Sequence, residues 1–521
     1  MEFNVINVGI WSVVPPLIAI ALALITKEVI FSLILGVVSG VLIYVVGSGE
    51  NLIGVFNTTA DLLVLKVGDN ASMIIFLSLL GSVVALIARS GGAQAYGVWA
   101  AKKLKSKQGS TFLTAILGLL IFIDDYFNCL TVGTVMKPVT DRFKVSREKL
   151  AYLIDSTAAP VCVIAPISSW AAAVVSYAPF VNGMPGMEAF VRAIPINLYA
   201  LLTILMVFVI SLRKNGDYGP MAVAEKLAAS KDMLVDDEIA LNDNIAKLKP
   251  SDKGTVGDLI FPVIFLIIVC ITAMLFYGGF WDGSGKSIRE SFGDTDAGMA
   301  LTLGGLLTIL LCFFFYVPRK LISFADFFSA IVDGIKAMVP AIVILTLAWT
   351  IGGVCKDMLG TGPFVAELAK GSNIIPLIPA LLFLCACGIS FATGTSWGTF
   401  GILIPISVDI CNSLSPELSL TCLAAVMGGG VFGDHCSPIS DSTILSSTGA
   451  GCSHIKHVNT QIPYALTAAS ASLVGYVIAG FVIKPLGQTG AVALAVSVSV
   501  VILIALLIIL PKVYQKRLAR V

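Results

Sequence analysis

The chain has 521 residues, of which 57% are hydrophobic and only 12% charged. So few charges among so many apolar residues exclude an ordinary soluble domain and describe a polytopic membrane protein. A formal net charge of +1 leaves no basic surface for nucleic acid.

A membrane-crossing helix needs about 20 mostly apolar residues. In chain order, spans are expected at 10–26, 29–47, 72–89, 147–178 (interrupted), 190–212, 257–278, 298–317, 337–356, 416–450 (interrupted), 459–484 and 490–511. Two further apolar segments, 111–139 and 379–411, carry a polar tip in the middle. The start, MEFNVINVGIW, has no basic n-region, so no cleaved signal peptide is expected. The 11 cysteines lie mostly in apolar runs and read as small reduced core residues. Residues 213–256 mix acids with lysines and have no apolar run, which predicts a partly helical cytoplasmic linker.

Lys and Arg in short loops set the orientation. The basic stretches Lys102–Lys107 and Lys137–Lys149, and the tail with Lys512, Lys516, Arg517 and Arg520, are placed inside. The chain between the first two leaves the inner side and returns to it. Thr111 to Ile123 offers only about 20 Å of helix, so DDYFN (Asp124–Asn128) is read as the tip of a re-entrant hairpin. The second hairpin, tipped by ATGTSW (Ala392–Trp397), has no Lys or Arg in its flanks Asn373–Pro379 and Asp409–Leu418, and is expected to enter from outside. Lys286 and Arg289 fall in an expected external loop against this rule, accompanied by Asp282, Glu290, Asp294 and Asp296.

The halves align weakly on each other. A shift of 268 residues places Gly92 on Gly360, Ile121 on Ile389, Thr131 on Thr399 and Gly133 on Gly401, and the order of features repeats. The expected architecture is all-α: two inverted repeats of five spans, each with a re-entrant hairpin and a discontinuous helix, plus an extra C-terminal span. The divisions are 1–212, the linker 213–256, 257–484 and 485–521, with the N-terminus outside and the C-terminus cytoplasmic. Inverted repeats whose broken helices meet near the midplane are a recurring transporter design.

The most informative stretch is GGGVFGDHCSPISDS, Gly428–Ser442. Its glycines, proline, hydroxyls and acids are expected to break a helix at bilayer depth, where freed backbone survives only inside protein or beside a wet cavity. An intramembrane Asp there marks a functional site. The first half offers LIDSTAAPVCVIAPISS, with Asp155, Ser156, Thr157, Ser168 and Ser169. The second offers Asp434, His435, Ser437, Ser440, Asp441 and Ser442. The hairpin tips add Asp124, Asp125 and Asn128 from one side and Thr393, Thr395 and Ser396 from the other. Carboxylates, hydroxyls and freed carbonyls are hard oxygen ligands suited to a small cation such as sodium. A buried carboxylate holding either a proton or a sodium ion is the minimal device of a cation/proton exchanger. Simpler roles compete: Asp124, Asp125 or Asp441 capping a half-helix, His435 as a bonded structural histidine, hydroxyls bonding helix carbonyls. His454 and His457 read by default as solvated loop residues near the inner surface. An intramembrane hydrolase using Asp155 and Asp434, or Asp434, His435 and Ser437, is disfavoured because sequence neighbours seldom form a triad. A channel is the other alternative.

The run GGGVFGDHCSPISDSTILSSTGAGCSHIKHVNTQIPYA closely resembles the NhaC-type sodium/proton antiporters, and FIDDYFNCLTVGTVMKPVTDRF and LIDSTAAPVCVIAPISSW are similar to that family's first-half motifs. The resemblance implies a prokaryotic inner-membrane carrier of the ion-transporter superfamily, with no cofactor and with sodium and protons as cargo. It also implies a scaffold part, often dimeric, and a transport part of two hairpins and two broken helices. Relatives that exchange malate for lactate, or carry amino acids with sodium, keep an organic cargo open.

Overall fold

The computed structural model describes residues 3–518 except 27, 215, 231–249, 294, 362, 365–366, 368–373 and 439. The middle of the expected linker, Asn373, Asp294 and Arg520 lie outside the described residues, as do the side chains of Arg289, Lys516 and Arg517. Apart from a two-stranded hairpin, the regular structure is helical. Nine described helices are long and apolar enough to cross a membrane, or ten if one bent pair is counted as a span. The chain is a multi-pass membrane protein.

The first half runs α1 (Val14–Thr26), α2 (Val29–Gly47), α3 (Gly54–Asp69), α4 (Ala71–Arg89) and α5 (Gly92–Lys103). Helices α6 (Lys107–Leu120) and α7 (Asp125–Arg142) form the arms of the first polar-tipped segment. The interrupted span follows in three pieces: α8 (Arg147–Asp155), α9 (Ala159–Cys162) and α10 (Ser169–Tyr177). Strands β1 (Phe180–Val181) and β2 (Met184–Pro185) pair across Asn182 and Gly183, both at positive φ, as a tight two-residue hairpin turn requires. Helices α11 (Gly186–Ala193) and α12 (Leu198–Leu212) then meet at a 49° bend. Helix α13 (Gly219–Ser230) is the described helical part of the linker.

The second half begins with α14 (Val256–Tyr277), the short α15 (Ile288–Gly293), α16 (Ala297–Tyr316) and α17 (Phe324–Gly353), which ends in a π-turn over Val354–Met358. Its hairpin is α18 (Ile378–Thr393) and α19 (Ser396–Leu414), turned at Gly394 with φ 70°. By length and composition the second hairpin's arms, Ile375–Thr393 and Ser396–Leu414, also qualify as spans. The second interrupted span is α20 (Ser419–Cys436) and α21 (Asp441–Ala450). Helix α22 (His454–Leu518) has two arms joined at Gly487, whose φ 66° and ψ 176° belong to a backbone region open essentially only to glycine.

Three local expectations are corrected. Residues 428–436 do not break the helix: α20 runs unbroken to Cys436, and the interruption is only 437–440. The glycines serve packing instead. A Cβ at Gly429 would lie 2.4 Å from the Phe383 carbonyl oxygen, and one at Gly433 2.4 Å from that of Cys387. This small-xxx-small ridge lets α20 lie backbone to backbone against α18. Helix α17 starts 13 residues before the expected 337, because its charged first turns are partnered: Arg89 meets Asp333 at 2.7 Å and the Asp326 carbonyl at 2.8 Å. Helix α3 was not expected at all, since its Asp and Lys residues break the apolar run; Lys66 is neutralised by Asp357 at 2.7 Å.

Candidate functional site

Four N-caps start helices at the hairpin tips and along the first interrupted span. Asp124 Oδ1 accepts from the Phe127 amide at 3.1 Å and starts α7. Ser146 starts α8 through the Lys149 amide at 3.1 Å. Ser168 starts α10 through the Ala171 amide at 3.0 Å, and Thr395 starts α19 through the Gly398 amide at 3.3 Å. Each satisfies an amide that the interrupted backbone would leave unpaired.

The second break is tied to the second hairpin tip through Asp434, which is 5% exposed. Its Oδ2 accepts from the Ser396 amide at 3.1 Å and the Ser396 hydroxyl at 2.7 Å, and its Oδ1 accepts from Ser440 at 2.5 Å. Ser442 adjoins Ser440 at 3.1 Å. Ser390 and Ser396 both donate to the Gly430 carbonyl, and Ser437 donates to that of Phe391 at 2.7 Å.

The first break is tied to the first hairpin tip. Ser169 donates to Asp124 at 3.2 Å, and the Trp170 indole donates to Asp125 at 3.0 Å. Asn128 donates to the carbonyls of Gly118, Ile121 and Thr157 at 2.7–3.0 Å, closing the tip onto the break. Trp170 in turn packs edge-on against Trp397 and Phe400 of the second hairpin.

Asp155, at the end of α8, is fully buried. Its Oδ2 accepts from His457 Nε2 at 3.2 Å and from the Gln461 amide at 2.7 Å. The same Gln461 nitrogen donates to the backbone carbonyl of His435, the residue after Asp434. One side-chain amide from α22 therefore joins the first break to the second. His435 Nε2 is bonded to the Tyr199 hydroxyl.

Sequence reasoning missed His457 and Gln461. His457 is not a solvated loop residue but wholly buried, and His454 bonds the Pro438 carbonyl at 2.6 Å inside the second break. The signal was present: His454, His457 and Gln461 recur at i, i+3 and i+7, one face of a helix. Other candidates take plainer roles. Thr157 bonds the Leu153 carbonyl at the end of α8, Thr393 bonds a carbonyl of its own helix, and Ser168 and Thr395 are caps. Asp441 is exposed in the first turn of α21, with Tyr126 at 3.5 Å.

A half-open groove of about 1370 Å³ runs past Phe122, Pro166 and Ile167, beside the first break. Its wall is mostly Ile, Val, Leu and Met, with Glu188 and Arg192 among the few polar groups.

The family model described as the Na+/H+ antiporter family matches residues 161–481, which hold the second break, the second hairpin, His457 and Gln461. An uncharacterized protein of Haemophilus influenzae is 39% identical over 519 residues, covering 96% of both chains. The malate-2H(+)/Na(+)-lactate antiporter of Bacillus subtilis is 33% identical over 165 residues, 30% of this chain and 34% of that one. The crystal structure of the Alcanivorax borkumensis YdaH transporter superposes with a TM-score of 0.50 at 13% identity, covering 82% of this chain and 88% of that one, a likeness of fold. The resemblance read from the GDHCSPISDST run is thereby borne out, and the hydrolase alternative falls away. The chain is a transporter, not an enzyme, and belongs to the Na+/H+ antiporter family.

Proposed function

We propose that this protein exchanges sodium for protons by alternating access, the two ions competing for the carboxylates gathered at the breaks. The observation that carries this reading is the link from Asp155 through Gln461 to the His435 carbonyl, which ties the buried acid of the first broken helix to the backbone of the second, one residue from Asp434. In this reading residues 1–212 and 257–484 are inverted repeats, 213–256 is a cytoplasmic linker and 485–521 an added span and tail. The membrane is a prokaryotic inner membrane, with the N-terminus outside and the C-terminus cytoplasmic. The functional unit is a homodimer.

Physically, a buried carboxylate stays charged only at a high desolvation cost, which neutral donors offset in part and a counter-charge more fully. Either a proton neutralises it or a sodium ion does, and exchange follows if the carrier turns over only when one of them is bound. Proteoliposomes with an internal pH dye test this. Wild-type protein that moves no protons in response to a sodium gradient would sink it.

One observation favours a second reading. A stretch of 165 residues is 33% identical to the malate-2H(+)/Na(+)-lactate antiporter of Bacillus subtilis. A sodium- or proton-coupled carrier of an organic acid or amino acid is the function that likeness supports. Uptake of labelled malate, lactate and amino acids, with and without sodium, separates the two.

A further inference from the structure

The two carboxylates at the breaks are not equally satisfied. Both oxygens of Asp434 are engaged by three donors from Ser396 and Ser440. In Asp155, Oδ2 takes both donors and Oδ1 has no protein partner. Two further oxygens nearby are also without a partner, Gln461 Oε1 and Asn128 Oδ1, and the Ser156 hydroxyl meets only that of Tyr152. Asp155, Ser156, Gln461 and Asn128 are all 0% exposed.

They belong to one place. Ser156 follows Asp155 in the chain. Gln461 is bonded to the Asp155 carboxylate, and Asn128 is bonded to the Thr157 carbonyl two residues on. The two amides have fixed orientations, because their nitrogens already face acceptors: Asp155 and the His435 carbonyl for Gln461, three carbonyls for Asn128. Their oxygens therefore point elsewhere. With Asp155 ionised, its Oδ1 and the two amide oxygens can only accept, and the bonded hydroxyls of Ser156 and Tyr152 have at most one proton left to turn toward them. A buried acceptor left unmade costs about 1–3 kcal/mol, and native interiors leave few of them. Acceptors that outnumber the donors around a carboxylate suit a small hard cation, which satisfies several oxygens at once.

We infer that the transported cation is taken on the Asp155 side, by Asp155 Oδ1, Ser156 Oγ and Gln461 Oε1 with Asn128 Oδ1 beside them, and that Asp434 is a positioning residue. Asp434 spends its charge holding the Ser396 tip against the second break. His457 and the Gln461 nitrogen hold Oδ2, which leaves Oδ1 aimed at the ion. This assignment rests on the cation-exchange reading above and names its ligands.

The test is equilibrium sodium binding to purified protein in nanodiscs, by calorimetry or with radioactive sodium. Ser156→Ala and Gln461→Met each raise the half-saturating sodium concentration about tenfold or more, the loss of one charge-assisted or ion-dipole contact. Ser440→Ala, which removes a donor to Asp434 and the contact with Ser442, raises it less than about threefold. Sodium-free thermal unfolding and gel filtration establish that each variant is folded; Ser156→Ala removes a single oxygen and decides the matter if Gln461→Met does not fold. Sodium affinity unchanged in Ser156→Ala, as expected if the acceptors hold only water, overturns the assignment. So does a larger loss in Ser440→Ala than in Ser156→Ala. A wild type that ignores sodium but binds lithium or methylammonium through Ser156 would remove the sodium reading and leave the site standing. A wild type that binds none of the three would overturn both.

Discussion

His457 Nε2 lies 3.2 Å from Oδ2 of Asp155, and both side chains are fully buried. The contact joins residues 302 positions apart and brings α22 to the candidate site. With only two donors on one oxygen, the carboxylate needs a third favourable interaction. Asp155→Asn keeps the shape and deletes the charge. It is expected to abolish sodium-driven proton movement in liposomes, at least about a hundredfold, which corresponds to losing about 3 kcal/mol of ion stabilisation. Folding, read by gel filtration, should survive.

The glycine ridge predicts a stability pattern along one hairpin. Gly433→Ala places a methyl group 2.4 Å from a backbone oxygen that cannot move aside. The expected loss is about 1–3 kcal/mol of stability, read as a lowered melting temperature in detergent. Gly388→Ala, on the hairpin helix α18, meets nothing within 4 Å and should raise stability slightly by favouring helix.

Helix α13 predicts a pH dependence outside the membrane. Glu225 accepts from the Ser146 amide at 2.7 Å and pairs with Lys107 at 2.7 Å, while Lys149 lies at 3.8 Å and also binds Asp217 at 2.8 Å. Burial alone would push the Glu225 carboxyl up. Lys149, Lys107 and the Ser146 amide outweigh it and hold the group below the ordinary glutamate value. A depressed folded value means that the docking energy is present above the unfolded pKa and is lost as pH falls through the folded one. Peptide 216–230 should therefore stay protected from hydrogen exchange at pH 7 and open only in acid below the usual glutamate range. Glu225→Gln should open it at pH 7.

Gly487 predicts a conformational cost. Its φ 66° and ψ 176° are closed to residues with a Cβ, although nothing lies within 4 Å. Gly487→Ala should destabilise by about 1–3 kcal/mol from backbone strain alone. A distance between spin labels on the two arms of α22 should change.

Much of this fold was legible because membrane spans announce themselves by length and hydropathy. The interrupted segments were legible because Pro160, Pro166 and Pro438 stand among hydroxyls and acids, where no lipid-facing helix would keep them. Less visible was the use of glycine. Gly428–Gly433 looks the same on paper whether it ends a helix or lets two helices touch, and only the facing carbonyls of α18 decide. His457 was hidden for a related reason. A histidine near a lysine and a loop reads as solvated until the partner carboxylate, which lies far away in sequence, is brought beside it.

The close seat of α20 on α18 has a mechanical consequence. Surfaces in backbone contact have no side chains to re-pack, and neither partner can slide past the other without collision. Asp434 pins the same pair at the tip through Ser396. The α18–α20 pair is therefore expected to behave as one rigid block, and any relative motion must be absorbed along this block's other, side-chain-lined faces.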